Sequence, residues 1–230
     1  MIPHGLDHVR LTMDPKFHVK DPETSELGMA IVGRGIELIA ELGYEGFTFR
    51  KLAERIGTTE ASIYRYFKSK HRLLLYVTAW YWTWMEYRVG IATVNVGDAR
   101  KRLRLALQEL TRRIERDELI PHIDETVLYR VVVAESSKVY LHRDVTAENR
   151  DGLFVSYKRL CGTVAALVAD VSPTYRYPVA LVSTVVESSH LQRYFSEHLP
   201  RLTDVDPDDP DASTTDFLTE MVFKAIAVDA

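Results

Sequence analysis

Apolar residues recur at spacings of three and four along most of the chain, whereas the alternation typical of strands is nearly absent. This periodicity predicts an all-α protein with an N-terminal three-helix head and a larger helical body. The first helix is expected to begin at the Asp21-Pro22 cap and to stop at Gly43.

Two short helices follow, separated by a turn at Gly57. Thr48 is predicted to cap the first of them, and the second is expected to run from about Thr59 to Phe67. Ile63 and Phe67, four residues apart, mark its buried face. The residues expected outside are Glu60, Ala61, Ser62, Tyr64, Arg65 and Tyr66. Ser69 then caps a long fourth helix that is expected to end near Val89.

The remaining chain is predicted to form the body, residues 73–230, after an N-terminal arm at 1–23 and the head at 24–72. Its helices are expected at Asp98–Glu118, from Pro121 through Ala134, at Arg150–Val171, and after Pro178 as far as Leu199. Residues 203–212 are rich in Asp and Pro and predict an exposed acidic loop. A last helix is expected over Thr215–Val228, with Phe217 facing inward.

The composition is that of a globular chain, with 46% hydrophobic and 27% charged residues in 230. We expect no membrane span and no secretory signal, and therefore a cytoplasmic protein. The single cysteine, Cys161, excludes an intrachain disulfide and a thiolate metal cluster, and no phosphate loop or nucleophile elbow is present. The sequence thus predicts neither a cofactor nor a bound metal.

Charge is unevenly distributed along the chain. Residues 48–72 carry seven basic and two acidic side chains, a net +5, although the whole chain is −4, so the other 205 residues carry −9. A short basic block on an acidic body indicates either a solvated helix face or a region that meets a polyanion.

The two short helices have the features that a helix-turn-helix requires. Its second helix must enter the DNA major groove, about 12 Å wide, so its leading residues should be short, as Thr59, Ala61 and Ser62 are. Hydroxyls and amide groups at the helix N-termini are suited to phosphate, and Lys70 adds a positive charge.

The segment TFRKLAERIGTTEASIYRYFKSKHRLL resembles the DNA-binding core of the TetR family of bacterial transcriptional regulators. The resemblance includes the Gly57 turn, the Ile63-Tyr64 pair, Phe67 and the Ser69-Lys70 start of the fourth helix, and extends over about residues 24–75. It implies a homodimeric, non-enzymatic repressor. Such a protein reads a near-palindromic double-stranded operator and leaves it when a small hydrophobic effector binds the body.

The resemblance also implies roles for individual residues. It places Thr48, Tyr64 and Lys70 at phosphate, and Arg50 at a base or a phosphate. The side chains placed near base edges are Glu60, Ala61, Ser62, Arg65 and Tyr66, with Thr59 at the start of that helix. Tyr66 stands where a histidine is common in the family. Glu60 either accepts a hydrogen bond from cytosine N4 or points away and leaves base readout to Ser62 and Arg65; Tyr64 has the alternative of a core tyrosine.

Aromatic residues are dense on the fourth helix, where Tyr76, Trp80, Trp84 and Tyr87 share a face. We expect most of them to be core, with a ligand wall as the functional alternative. The predicted apolar effector pocket is lined by Trp80, Trp84, Tyr87, Tyr129, Phe154 and Tyr157.

Two further expectations concern the C-terminal helices. Leu181, Ser188, Leu191 and Phe195 recur at near-heptad spacing and predict a dimer interface on the helix ending near Leu199, together with the last helix. Glu187 and His190 have the Glu-x-x-His spacing of di-iron bundles, so the alternative function is a metal-dependent helical-bundle enzyme. This motif occurs once, whereas such a site needs two copies.

Overall fold

The fold is all-α, as predicted. The computed structural model describes residues 11–116 and 120–226, and within these ranges it contains helices and no strand. The α-helices are α1 (Glu26–Gly46), α2 (Phe49–Ile56), α3 (Glu60–Tyr64), α4 (Lys70–Thr93), α5 (Ala99–Thr111), α6 (Glu125–Tyr140), α7 (Val145–Arg150), α8 (Val155–Val171), α9 (Pro178–His198) and α10 (Pro210–Ile226). Short 3₁₀ helices lie at Pro15–Phe17, Pro22–Thr24 and Pro200–Leu202. No helix in the described part of the chain is long and apolar enough to span a membrane.

The described residues form two compact units. The first comprises residues up to 82 together with 114–156, and the second comprises 83–113 together with the chain from 157 onward. The division thus falls inside α4, ten residues beyond the predicted end of the head at 72. It also assigns 114–156, which the sequence analysis placed in the body, to the same unit as the head.

In the first unit, α1 begins later than the sequence predicted. Asp21 caps the 3₁₀ turn at Pro22–Thr24 by accepting the Glu23 N–H at 2.9 Å, and Ser25 caps α1 by accepting the Gly28 N–H at 3.2 Å. Gly28 is required here, because a Cβ would lie 2.2 Å from the carbonyl oxygen of Pro22. The turn therefore packs directly on α1.

The end of α1 is held by α6. Gly43 has a φ of 68° and breaks the helix where predicted, although a last helical turn continues to Gly46. The buried carboxylate of Glu135, on α6, accepts the Tyr44 N–H at 2.8 Å just after this break. The contact fixes the segment that leads from α1 into α2.

In the second unit, α5, α9 and α10 pack together. The guanidinium of Arg193 on α9 donates to the Thr111 carbonyl at 2.6 Å and pairs with Asp211 of α10 at 2.7 Å. This side chain ties the three helices at one end.

The ends of several helices differ from the predictions. The last helix begins at Pro210, five residues before Thr215, because Asp209 accepts the Ala212 N–H at 3.1 Å and caps it. Residues 210–212 are therefore helical and not part of the acidic loop, and Phe217, expected inward, is 48% exposed. The predicted end at Val228 lies outside the described residues. Elsewhere α5 stops at Thr111, α6 starts after Asp124, α4 continues to Thr93, and α7 was not predicted.

Candidate nucleic-acid interface

The head forms the two short helices that the sequence predicted. The Thr48 hydroxyl accepts the Lys51 N–H at 3.2 Å and caps α2, while Gly57 ends it in the left-handed conformation at φ 68° and ψ 38°. Phe49, Leu52 and Ala53 are buried along one face of α2. This face packs α2 into the unit and leaves Arg50 exposed.

Helix α3 is a single short helix, Glu60–Tyr64, with Thr59 as its cap. The Thr59 hydroxyl accepts the Ser62 N–H at 3.2 Å and lies 3.0 Å from the Ser62 hydroxyl. Ile63 is fully buried, whereas Glu60, Ala61 and Arg65 are exposed. Glu60 is in the first turn, where a carboxylate stabilises the helix through its dipole.

A shallow concave surface of about 330 Å³ gathers residues from α2, α3 and the start of α4, and we call it the head groove. It is lined by Thr48, Phe49, Arg50, Glu60, Tyr64, Lys68, Ser69 and Lys70. Five of these lining residues were among the ten predicted DNA contacts. Lys68 was not among them, although its place in the basic block was the signal for it.

Tyr64 lies at the surface and not in the core. Its side chain is 50% exposed, and its ring meets Phe49 edge to face with centroids 5.1 Å apart. Phe49 is buried in α2, so it supports one edge of the tyrosine ring. The core alternative for Tyr64 is therefore not what the structure shows.

Lys70 begins α4 and is already anchored to the end of α1. Its ammonium donates to the carbonyl oxygens of Tyr44 at 2.9 Å and Phe47 at 3.4 Å, and lies 4.3 Å from the centre of the Tyr44 ring. Burial, with nearby acidic groups, raises the pKa of Tyr44 to about 12, so the ring stays neutral beside the lysine. The ammonium is thus positioned before any ligand arrives.

Tyr66 is a correction to the predicted contacts, because it faces the interior. It is 3% exposed, and its hydroxyl lies 2.8 Å from the Ser25 hydroxyl and accepts from the Lys20 ammonium at 3.3 Å. Helix α3 ends at Tyr64, and the Tyr66 N–H turns back to the Ile63 carbonyl at 2.8 Å, which rotates the ring inward. The hydrogen bond from Ser25, with help from Lys20, lowers the pKa of Tyr66.

Two arginines of the basic block are paired with acids. The Arg55 guanidinium donates two hydrogen bonds to the two carboxylate oxygens of Glu41 on α1, at 3.0 and 2.8 Å. This bidentate pair lowers the pKa of the Glu41 carboxyl. Arg50 lies 3.1 Å from Glu54, one turn along α2, in a pair that is exposed on both sides. Two further cations, Lys68 and Lys70, line the head groove beside Arg50.

The six predicted effector residues fall in both units. In the first unit Trp80 is buried, while Tyr129 and Phe154 are partly buried. In the second unit Trp84 is buried under the Arg88 guanidinium, Tyr87 is 38% exposed, and the Tyr157 hydroxyl donates to Glu187 at 3.1 Å. The buried indoles behave as core, which the sequence analysis expected of most of this set.

The pair Glu187 and His190 does not assemble the di-iron constellation. Among the described residues neither belongs to a group of three metal-binding side chains whose ligand atoms lie within 4.8 Å of one another. Burial lowers the pKa of His190 to about 4, so its imidazole is neutral at pH 7.

The arrangement of α2, α3 and the start of α4 is a helix-turn-helix whose second helix is exposed. Residues 31–77 match the family described as bacterial regulatory proteins, tetR family. The chain is also 42% identical over 45 residues to the class C tetracycline repressor protein of Escherichia coli, and this alignment covers 20% of either protein. The match to the TetR family therefore covers the helix-turn-helix, which is about a fifth of the chain.

The chain also resembles solved structures over most of its length. It superposes on AibR in complex with isovaleryl coenzyme A and operator DNA with a TM-score of 0.58 and 17% identity, covering 84% of this chain and 96% of that one. It superposes on a tetR-family bacterial regulatory protein from Rhodococcus RHA1 with a TM-score of 0.57 and 18% identity, covering 86% and 97%. At such identities the likeness shows the fold, an N-terminal helix-turn-helix followed by a larger helical part.

Proposed function

We propose that this protein is a ligand-responsive transcriptional repressor that binds operator DNA through its head groove as a homodimer. The observation that carries the proposal is the groove itself, which brings Thr48, Arg50, Tyr64 and Lys70 to one concave face beside an exposed α3. The family match to regulatory proteins supports it, and so does the operator DNA bound by AibR.

Lys70 and Tyr64 suit phosphate because both are held in place from behind. The carbonyls of Tyr44 and Phe47 take two of the three N–H donors of the lysine ammonium, which leaves the third for a phosphate oxygen. The Tyr64 ring is supported by Phe49. Its hydroxyl is proposed to donate a hydrogen bond to a phosphate of the same DNA strand or its partner strand. Such contacts set the register of the protein on the duplex without reading sequence.

Base readout is assigned to α3. Ser62 lies on α3 and the exposed Arg65 directly follows that helix, so a hydroxyl and a guanidinium are available there, and Arg is the commonest specific partner of guanine. Glu60 lines the head groove at the start of α3, where it either accepts from cytosine N4 or acts only on the helix dipole. Substituting Ser62 or Arg65 is expected to change the preferred bases.

The homodimer is proposed to form through α9 and α10. Leu191, Tyr194 and Phe217 are each about half exposed on these helices, at 51%, 50% and 48%. Exposed apolar residues on neighbouring helices mark association surfaces. Leu181, predicted for the same interface, is instead only 9% exposed within its own unit.

The effector is proposed to be a small, mostly hydrophobic molecule bound among the aromatic residues of the body. Helix α4 begins at Lys70, which lines the head groove, and carries Trp84 and Tyr87 further along, so it is the element proposed to couple the effector to the DNA contact. AibR, a protein of this fold, binds isovaleryl coenzyme A, in which a short hydrophobic acyl group is attached to a large, polar coenzyme A.

The test of the function is selection of operators from random double-stranded DNA with the full chain at a stated salt concentration. We expect enrichment of a near-palindromic sequence whose half-sites lie about 34 to 36 Å, one DNA turn, apart. Failure to enrich any sequence would contradict the proposal. A thermal-shift screen of hydrophobic metabolites then tests the effector, since a true effector binds the operator complex more weakly, typically by about 5- to 150-fold.

A further inference from the structure

Two histidines and a glutamate meet in the first unit, away from the head groove. His71 lies in the first turn of α4, His142 follows the end of α6, and Glu148 lies on α7. His71 Nε2 is 2.8 Å from one carboxylate oxygen of Glu148, and His142 Nε2 is 3.1 Å from the other. The ligand atoms of these three residues, which we call the His71 cluster, all lie within 4.8 Å of one another.

The cluster contains buried polar atoms that lack hydrogen bonds. The three side chains are only 27%, 21% and 12% exposed for His71, His142 and Glu148. His142 Nε2 and the Glu148 Oε2 that faces it are both buried, and neither makes a hydrogen bond of acceptable geometry. Buried polar atoms without partners are rare in folded proteins, and a bound ion is one of the few things that satisfies them.

The donor atoms select the kind of ion. Two imidazole nitrogens and one carboxylate form the ligand set of open zinc sites, whereas Mg²⁺ and Ca²⁺ prefer oxygen alone and Cu⁺ prefers sulfur. Bonds of about 2.0 to 2.2 Å to a tetrahedral ion place neighbouring donor atoms about 3.4 Å apart. The observed contacts of 2.8 and 3.1 Å need to open by about 0.6 and 0.3 Å to reach this separation.

We propose that the His71 cluster binds a divalent transition metal of the Zn²⁺ class, with the fourth position taken by water. The Asp144 N–H donates to His142 Nδ1 at 3.3 Å, which assigns the ring proton to Nε2. A ring that binds metal through Nε2 carries its proton on Nδ1, so binding exchanges this long, exposed hydrogen bond for a metal–nitrogen bond. Bound metal also replaces the hydrogen bond between His71 Nε2 and Glu148 Oε1.

The His71 cluster lies next to Lys70 in the chain, so a bound metal also affects the head. His71 directly follows Lys70, which lines the head groove. A metal shared by His71, His142 and Glu148 fixes the first turn of α4 to α7, and with it the backbone that carries Lys70. We therefore expect the metal to strengthen DNA binding; this consequence rests on the proposed function, whereas metal binding itself does not.

The experiment is a titration of the untagged full chain with Zn²⁺ against a chromophoric chelator, in the absence of DNA. The wild type is expected to bind one Zn²⁺ per chain and to be indifferent to Mg²⁺. His71→Gln, His142→Gln and Glu148→Gln should each weaken Zn²⁺ binding at least tenfold. His122→Gln is the matched control, because His122 pairs with Glu23 at 3.0 Å outside the cluster and its loss should leave the affinity unchanged.

Two outcomes overturn the site: no stoichiometric binding by the wild type, or equal affinities in all four variants. Helical circular dichroism without metal establishes that each variant is folded, and the absorption of bound Co²⁺ reports tetrahedral nitrogen and oxygen ligands independently of affinity. DNA binding is measured separately with and without Zn²⁺. A chain that binds Zn²⁺ but no DNA leaves the metal site standing and removes the proposed function; a chain that binds operator but no Zn²⁺ does the reverse.

Discussion

Tyr64 and Tyr66 are two residues apart in the chain and have opposite surroundings. The first is half exposed beside the head groove, and the second is buried with its hydroxyl against Ser25 and Lys20. Sequence spacing alone placed both outside, because it took α3 to continue to Phe67. The helix in fact ends at Tyr64, and the tight turn that follows it reverses the direction of the second ring.

Paired Tyr→Phe substitutions test this difference. Tyr66→Phe should lower the free energy of unfolding by about 1 kcal/mol, because a buried hydroxyl loses its hydrogen bonds, and should leave base preference unchanged. Tyr64→Phe should change stability by less than about 0.5 kcal/mol and weaken binding to all DNA sequences alike. Urea unfolding and DNA titration measure the two effects. A changed base preference in Tyr66→Phe would show that the ring does reach DNA.

His190 makes the free energy of unfolding of this protein depend on pH. Burial lowers its pKa to about 4 in the folded chain, below the ordinary value of 6.5. Between these values the unfolded chain binds more protons, so stability present above pH 6.5 is lost as the pH falls toward 4. Urea unfolding at pH 7 and pH 4.5 should show a smaller loss for His190→Asn than for the wild type. His198→Asn, at an exposed histidine, should lose as much stability as the wild type.

At the scale of elements, helix caps formed within one turn of chain could be predicted from the sequence. Helix ends that are set by contacts with distant segments could not. Thr48, Thr59 and Gly57 act where the sequence placed them, because each makes its contact within its own turn of chain. The head groove followed from these caps and from the basic block. The start of α1 at Ser25 instead depends on the turn Pro22–Thr24 packing on Gly28, and the His71 cluster joins side chains 77 residues apart. No local pattern carries such information.

The turn between α2 and α3 depends on the backbone of Gly57. Its φ of 68° is unfavourable for any residue with a Cβ, yet no atom lies within 4 Å of where that Cβ would be. Gly57→Ala should therefore destabilise the chain by about 1 to 2 kcal/mol through backbone strain alone. Gly90→Ala is the matched control: it too has open space but lies within α4, so it should stabilise by about 0.5 to 1 kcal/mol. Equal effects in urea unfolding would contradict this account of the turn.

At the scale of the whole molecule, the described residues form two compact units, each with its own buried residues. The sequence placed the division at the end of the head, since the basic block and the motif end there. It missed that residues 114–156 belong with the head, because the contact of α6 with α1 joins segments about 90 residues apart.

Dimer formation is proposed to be a property of the second unit. Leu191→Arg should convert the protein to a monomer in sedimentation at micromolar concentration, because it places a charge in the apolar surface of α9. Leu141→Arg, at a leucine that is 83% exposed in the first unit, should leave the dimer intact. A wild type that sediments as a monomer, or a Leu191→Arg dimer, would remove α9 from the interface.

The most direct test of DNA docking by the head groove is the salt dependence of operator affinity for Lys70→Ala, measured at several ionic strengths. We expect weaker binding to every sequence and a salt slope smaller in magnitude by about 0.9, the value of one lost phosphate contact. Lys224→Ala, at an exposed lysine of α10 paired with Glu220, is the control and should match the wild type in both. An unchanged affinity and slope in Lys70→Ala would contradict the docking of DNA in the head groove.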